Sequence, residues 1–109
     1  MQQAVVNYLH LLENRRHLVF FHPENGGYRT PAEAGIGRAM GRRAGVADLI
    51  VILPGGRVGA LELKSDKGRQ SLAQKEWQGA VEAFGVPYAV CRSLDEVRAA
   101  LCGWGVAAP

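Results

Sequence analysis

The chain reads as a mixed α/β sandwich, with a central sheet of about four strands flanked by helices. Three observations predict this. Apolar residues recur at helical spacing near the N-terminus and again after position 70. Two strand-like runs are joined by the compact turn Pro54-Gly55-Gly56. The order of elements is helix, strand, small helix, hairpin, helix, strand, helix, which suits one sheet covered by helices. At 109 residues the whole of 1–109 is expected to be one domain, and 48% apolar content suffices for a core without disulfides.

From Gln2 to about Arg16, Val5, Val6, Leu9 and Leu12 mark an amphipathic helix. His17 to His22 is a short strand, and Pro23 to Gly27 has loop composition. Thr30-Pro31-Ala32-Glu33 is a compact helix start, with Thr30 as N-cap, proline in the first position and glutamate in the third. Gly35 and Gly37 weaken that helix, which ends near Gly41. Asp48 to Leu53 is one acid followed by a continuous apolar run, the pattern of a strand buried on both faces. Val58 to Lys64 returns as its hairpin partner.

Ser71 to Phe84 is helical, with Ala73, Trp77, Ala80, Val81 and Phe84 as a core stripe and Gln70, Gln74 and Gln78 on another face. Gly85 stops it. Tyr88 to Cys91 is a strand, and Ser93-Leu94-Asp95-Glu96 is a second capping box opening a last helix to about Cys102.

Charge narrows the function classes. Between Arg29 and Arg69 lie six arginines and two lysines against four acids, while the remainder holds five bases and six acids. An anionic ligand is therefore expected at the middle of the chain, where arginine suits phosphate. No apolar run approaches the roughly 18–20 residues that cross a bilayer. Cys91 and Cys102 read as buried free thiols, which makes a reduced, cytoplasmic protein the default.

The chemistry concentrates between Asp48 and Lys64. Glu62 and Lys64 are two residues apart on a strand, so they share a face, while Leu61 and Leu63 point the other way. A hairpin brings Asp48 alongside them. Two carboxylates close together make a hard, oxygen-rich site suited to Mg²⁺ or Mn²⁺. Lys64 could orient or deprotonate a water, or stabilise charge developing on a phosphoryl group. Taken alone, the same three residues also describe a structural ion pair.

Gly45-Val46-Ala47-Asp48 followed by Leu61-Glu62-Leu63-Lys64 resembles the divided acid and E-x-K signature of the PD-(D/E)XK nuclease superfamily, and within it the VRR-NUC (virus-type replication-repair nuclease) domain. His22-Pro23-Glu24-Asn25-Gly26-Gly27-Tyr28-Arg29 resembles that branch's loop after the first strand. Gly41 to Asp48 resembles its approach to the first acid, and Ser71-Leu72-Ala73-Gln74 its Ser-x-x-Gln helix start.

The resemblance implies a restriction-endonuclease-like αβββαβ core and a metal-dependent DNA endonuclease. It implies Asp48, Glu62 and the Leu63 carbonyl as ligands of Mg²⁺ or Mn²⁺, Lys64 as the catalytic lysine, and Gln74 facing the site. Asn25, Arg29 and Ser71, with Arg38, Arg42 and Arg43, are expected to contact DNA. His22, adjoining the loop, is a further candidate. Small members resemble junction resolvases, which implies branched DNA as substrate and a homodimer.

There are two departures. Ala47 stands where the family usually has proline. The family's first helix also carries an acid facing the metal, whereas this helix begins Met1-Gln2-Gln3 and has no acid before Glu13. Either Glu13 takes that role from another turn or the acid is absent. The rival expectation is a catalytically weak, DNA-binding accessory module with the same fold.

Overall fold

The computed structural model describes residues 1–24 and 30–109. The elements run α1 (Gln2–Asn14), β1 (Val19–Phe21), α2 (Pro31–Ala39), β2 (Leu49–Ile52), β3 (Val58–Leu63), α3 (Leu72–Glu82), β4 (Tyr88–Cys91) and α4 (Leu94–Gly103). The strands form one mixed sheet in the order β1-β2-β3-β4, antiparallel at the first two pairings and parallel between β3 and β4. Among the described residues, no helix is long and apolar enough to cross a membrane.

Local chemistry sets most of the boundaries. Thr30 caps α2 as expected, its hydroxyl accepting from the Glu33 N–H while the Glu33 carboxylate accepts from the Thr30 N–H. A 3-10 turn over Pro54–Gly56 joins β2 to β3, with Gly55 at φ 83° and Gly56 at φ 77°, in the region where a Cβ is penalised. A complete capping box also opens α3, between Ser71 and Gln74. At α4 only half of the expected box forms. Ser93 Oγ accepts from the Glu96 N–H, but the Glu96 carboxylate turns to the Arg92 N–H instead.

The core lies on one face of the sheet. Val5, Leu9 and Leu12 of α1 and Val97 and Leu101 of α4 pack there against Leu49, Val51, Leu61 and Cys91. Burying each such side chain contributes about 1.5–3 kcal/mol. The expectation that β2 is buried on both faces is corrected. Leu49 and Val51 are buried, but Ile52 on the opposite face is 41% exposed, together with its register partners Val19 and Val58. A continuous apolar run leaves open whether a second layer covers it.

Two further expectations change. No residue of α3 is fully buried, Phe84 is 90% exposed, and Trp77 is half-buried against Tyr88 rather than in the core. Cys91 is buried, but Cys102 is exposed, because the inward face of α4 is the one that carries Val97 and Leu101.

Candidate metal centre and active site

The hairpin register assembles the site. Leu49 pairs with Leu61 in the antiparallel ladder, so one step back along β2 sets Asp48 opposite Glu62. Both positions lie on the face away from the core, since side chains alternate along a strand. Asp48 Oδ2 accepts a hydrogen bond from the Leu63 N–H at 2.6 Å, clasping the open ends of the two strands. Within a strand the N–H and C=O of one residue point to the same edge, so the Leu63 carbonyl also faces the Asp48 side. The Asp48 carbonyl accepts from Nδ1 of His22 at 2.6 Å, which brings His22 to the site through the backbone.

Among the described residues, Glu62 is the one charged side chain that is buried, at 0% exposure. Its Oε1 accepts from the Tyr88 hydroxyl, and from Gln70 Nε2 at 2.9 Å. Its Oε2 has no hydrogen-bond partner among the described residues and is ion-paired with Lys64 Nζ at 3.6 Å. The Lys64 ammonium offsets part of the cost of burying this carboxylate, and an oxygen without a hydrogen bond leaves coordination capacity for a further cation. Burial, then the hydrogen bond to Glu62 and its charge, push the Tyr88 phenol well above its ordinary pKa, so it stays a protonated donor.

The N-terminus of α3 closes the site. Gln74 Oε1 accepts from Lys64 Nζ and from the Ser71 N–H, each at 2.8 Å. Ser71 is exposed, and its hydroxyl caps the helix by accepting from the Gln74 N–H. Gln70 donates to Gln78 Oε1 at 2.8 Å as well as to Glu62. The glutamine face of α3, rather than its apolar stripe, is thus the one turned to the chemistry.

Gly45, at φ 80°, runs so close to α3 that an added Cβ would lie 2.2 Å from the Ala73 carbonyl oxygen. The loop between Lys64 and α3 is tied down by Arg92, whose Nη1 donates to the carbonyls of Ser65 at 2.6 Å and Gly68 at 2.8 Å.

Of the expected site residues, Asp48, Glu62, Leu63, Lys64 and Gln74 converge. Arg38, Arg42 and Arg43 are exposed, and Arg42 and Arg43 line an open cleft with Ile36, Met40 and Val46 just ahead of Asp48. Asn25, Tyr28 and Arg29 lie outside the described residues. Glu13 is not at the site. Its Oε1 accepts from the Phe20 N–H at 3.3 Å, and it borders Ile52, Leu53 and Pro54 at the far end of β2. The rotation of α1 on the sheet, which keeps Val5, Leu9 and Leu12 inward, carries Glu13 there. Among the described residues, no three His, Cys, Asp or Glu side chains cluster as a metal shell.

Sequence reasoning missed Tyr88 and Gln70. The available signals were a phenol opening an otherwise apolar strand, and glutamines spaced four apart beside a helix start.

The family model described as the VRR-NUC domain matches residues 1–95. The chain belongs to the VRR-NUC domain family. A solved structure titled "VRR_NUC domain" is similar over 93% of this chain and 92% of that one, with a TM-score of 0.62 and 20% identity, which shows a shared fold. No curated protein matches the chain. VRR-NUC membership implies a nuclease-type, DNA-processing function.

Proposed function

We propose that this VRR-NUC protein is a divalent-metal-dependent DNA endonuclease with Asp48, Glu62 and the Leu63 carbonyl as metal ligands. The observation that carries the reading is the fully buried Glu62, opposite Asp48, with one oxygen doubly hydrogen-bonded and the other accepting no hydrogen bond from the described residues and facing the Lys64 ammonium at 3.6 Å. Carboxylate and carbonyl oxygens of this kind fit a hard cation such as Mg²⁺ or Mn²⁺. When bound, such an ion polarises a phosphoryl oxygen and makes a water acidic enough to yield the attacking nucleophile.

The chain's own groups do the rest. Lys64, steered by Gln74, presents its ammonium beside Glu62, where it can hold a phosphate oxygen or orient the attacking water. Arg38, Arg42 and Arg43, exposed ahead of Asp48, supply salt-dependent contacts to the DNA backbone. A domain of this size has little surface for reading bases, which favours structure-selective cutting of branched DNA. Symmetric cutting of a junction requires two active centres, and a homodimer supplies them. With Glu13 turned to Phe20, two carboxylates favour one cation rather than two.

The test is cleavage of linear, flap and four-way-junction DNA with Mn²⁺, with EDTA, and with the variants Glu62→Gln and Lys64→Ala. Activity is expected with Mn²⁺, highest on branched DNA, and absent in the other three arms. Cleavage at the wild-type rate in EDTA or in either variant overturns the assignment.

A metal-occupied protein is also stabilised, by about 2.7 kcal/mol at a hundred times the dissociation constant. Thermal melting should therefore rise by several degrees on adding Mn²⁺, and Asp48→Asn should remove that rise. An equal rise in the variant places the ion elsewhere.

A further inference from the structure

Resting on the metal-centre reading above, we infer that Tyr88 and Gln70 are positioning residues that hold Glu62 to single-oxygen coordination and so select small octahedral cations over Ca²⁺. A carboxylate oxygen has two lone pairs. Both on Oε1 are engaged, one by the Tyr88 hydroxyl and one by Gln70 Nε2 at 2.9 Å. Only Oε2 is left to a metal ion: it accepts no hydrogen bond from the described residues, and the Lys64 ammonium faces it at ion-pair distance, 3.6 Å.

The clamp is itself held. Gln70 commits its second N–H to Gln78 Oε1 at 2.8 Å, so a flip of its amide would lose two bonds and set an oxygen against the Glu62 carboxylate. The Tyr88 ring is braced by Trp77, with centroids 5.9 Å apart. Tyr88 arrives from β4 through the parallel pairing that sets Ala60 beside Tyr88 and Glu62 beside Val90. Rotation of the Glu62 carboxylate about its last bond is thereby blocked from two directions.

Coordination chemistry gives this arrangement a consequence. Ca²⁺ takes six to eight oxygens and often binds a carboxylate through both, whereas Mg²⁺ keeps near-ideal octahedral geometry at short distances. A carboxylate restricted to one oxygen fits the second kind of ion and disfavours the first. Groups that orient a metal ligand typically change metal affinity 10–100-fold when removed.

The experiment is calorimetric titration of Mn²⁺ and of Ca²⁺ into the full chain, comparing wild type, Tyr88→Phe, Gln70→Leu and Glu62→Gln. Tyr88→Phe keeps the ring against Trp77, and thermal melting in EDTA verifies folding of each variant. The expected result is Mn²⁺ affinity about 10-fold weaker in Tyr88→Phe and in Gln70→Leu. Ca²⁺ affinity should fall less or rise, so the preference for Mn²⁺ narrows.

A merely structural hydrogen bond would lower the melting temperature and leave the Mn²⁺ to Ca²⁺ ratio where it was. Wild-type ratios in both variants, with Mn²⁺ binding still lost in Glu62→Gln, overturn the clamp and leave the metal centre standing. No Mn²⁺ binding to the wild type, or binding that survives Glu62→Gln, overturns both.

Discussion

Gln74 Oε1 lies 2.8 Å from Lys64 Nζ and 2.8 Å from the Ser71 backbone nitrogen, so one amide oxygen both starts α3 and steers the lysine of the E-x-K pair. Helix initiation and the geometry of the candidate site share an atom. The Ser-x-x-Gln spacing follows from that double duty: the N3 side chain of a capping box reaches back to the N-cap N–H, and Lys64 approaches the same oxygen from the end of β3.

Gln74→Ala should therefore separate two effects. The Ser71 hydroxyl still accepts from the backbone N–H at position 74, so the loss of stability is expected at no more than about 1 kcal/mol. Lys64 loses a charge-assisted acceptor worth about 1.5–3 kcal/mol, which corresponds to a roughly 10–100-fold slower cleavage step. Single-turnover cleavage beside thermal melting measures both, with Gln74→Glu, which keeps an acceptor, retaining more activity than Gln74→Ala. Equal losses in the two variants would sever the link between this acceptor and the chemistry.

Gly45→Ala is expected to damage the site from a distance. The backbone there is left-handed, which alone costs a side-chain-bearing residue roughly 1–3 kcal/mol. A Cβ would also meet the Ala73 carbonyl oxygen at 2.2 Å, forcing the loop that carries Asp48 away from α3. Both the midpoint of urea unfolding and the cleavage rate should fall. A variant with unchanged stability would mean that this contact is not made in solution.

The two cysteines should differ in reactivity. Burial, aided by the negative charge of Glu96, pushes the Cys91 thiol up to about 11, which depletes the reactive thiolate at neutral pH. Cys102 is exposed at the end of α4. Titration with a chromogenic disulfide at pH 8 should consume one thiol quickly and the second only after unfolding, and Cys102→Ser should abolish the fast phase. Two fast thiols would contradict the placement of Cys91 in the core.

Much of the centre was legible because it is local. A short Pro-Gly-Gly turn limits the register of β2 on β3, and alternation along each strand then puts Asp48, Glu62 and Lys64 on one face. The capping box at Thr30 rests on contacts three residues long and reads correctly, whereas the one expected at Ser93 forms only by half. Residues placed by long-range packing were not legible. Glu13 falls on the wrong side of α1 for the proposed metal centre, which depends on how that helix is rotated on the sheet. The apolar run of β2 was the same whether or not a second layer covered Ile52.

The meeting of Asp48, Glu62 and Lys64 at the hairpin end was thus decided by spacing within the chain, because turn length and strand alternation act over a few residues. Which oxygen of Glu62 is left without a hydrogen bond among the described residues was decided only by the tertiary structure. The donors to the other oxygen come from Tyr88, across a parallel crossover, and from Gln70, ahead of α3, and no local rule sets the register of a parallel strand reached through a helix.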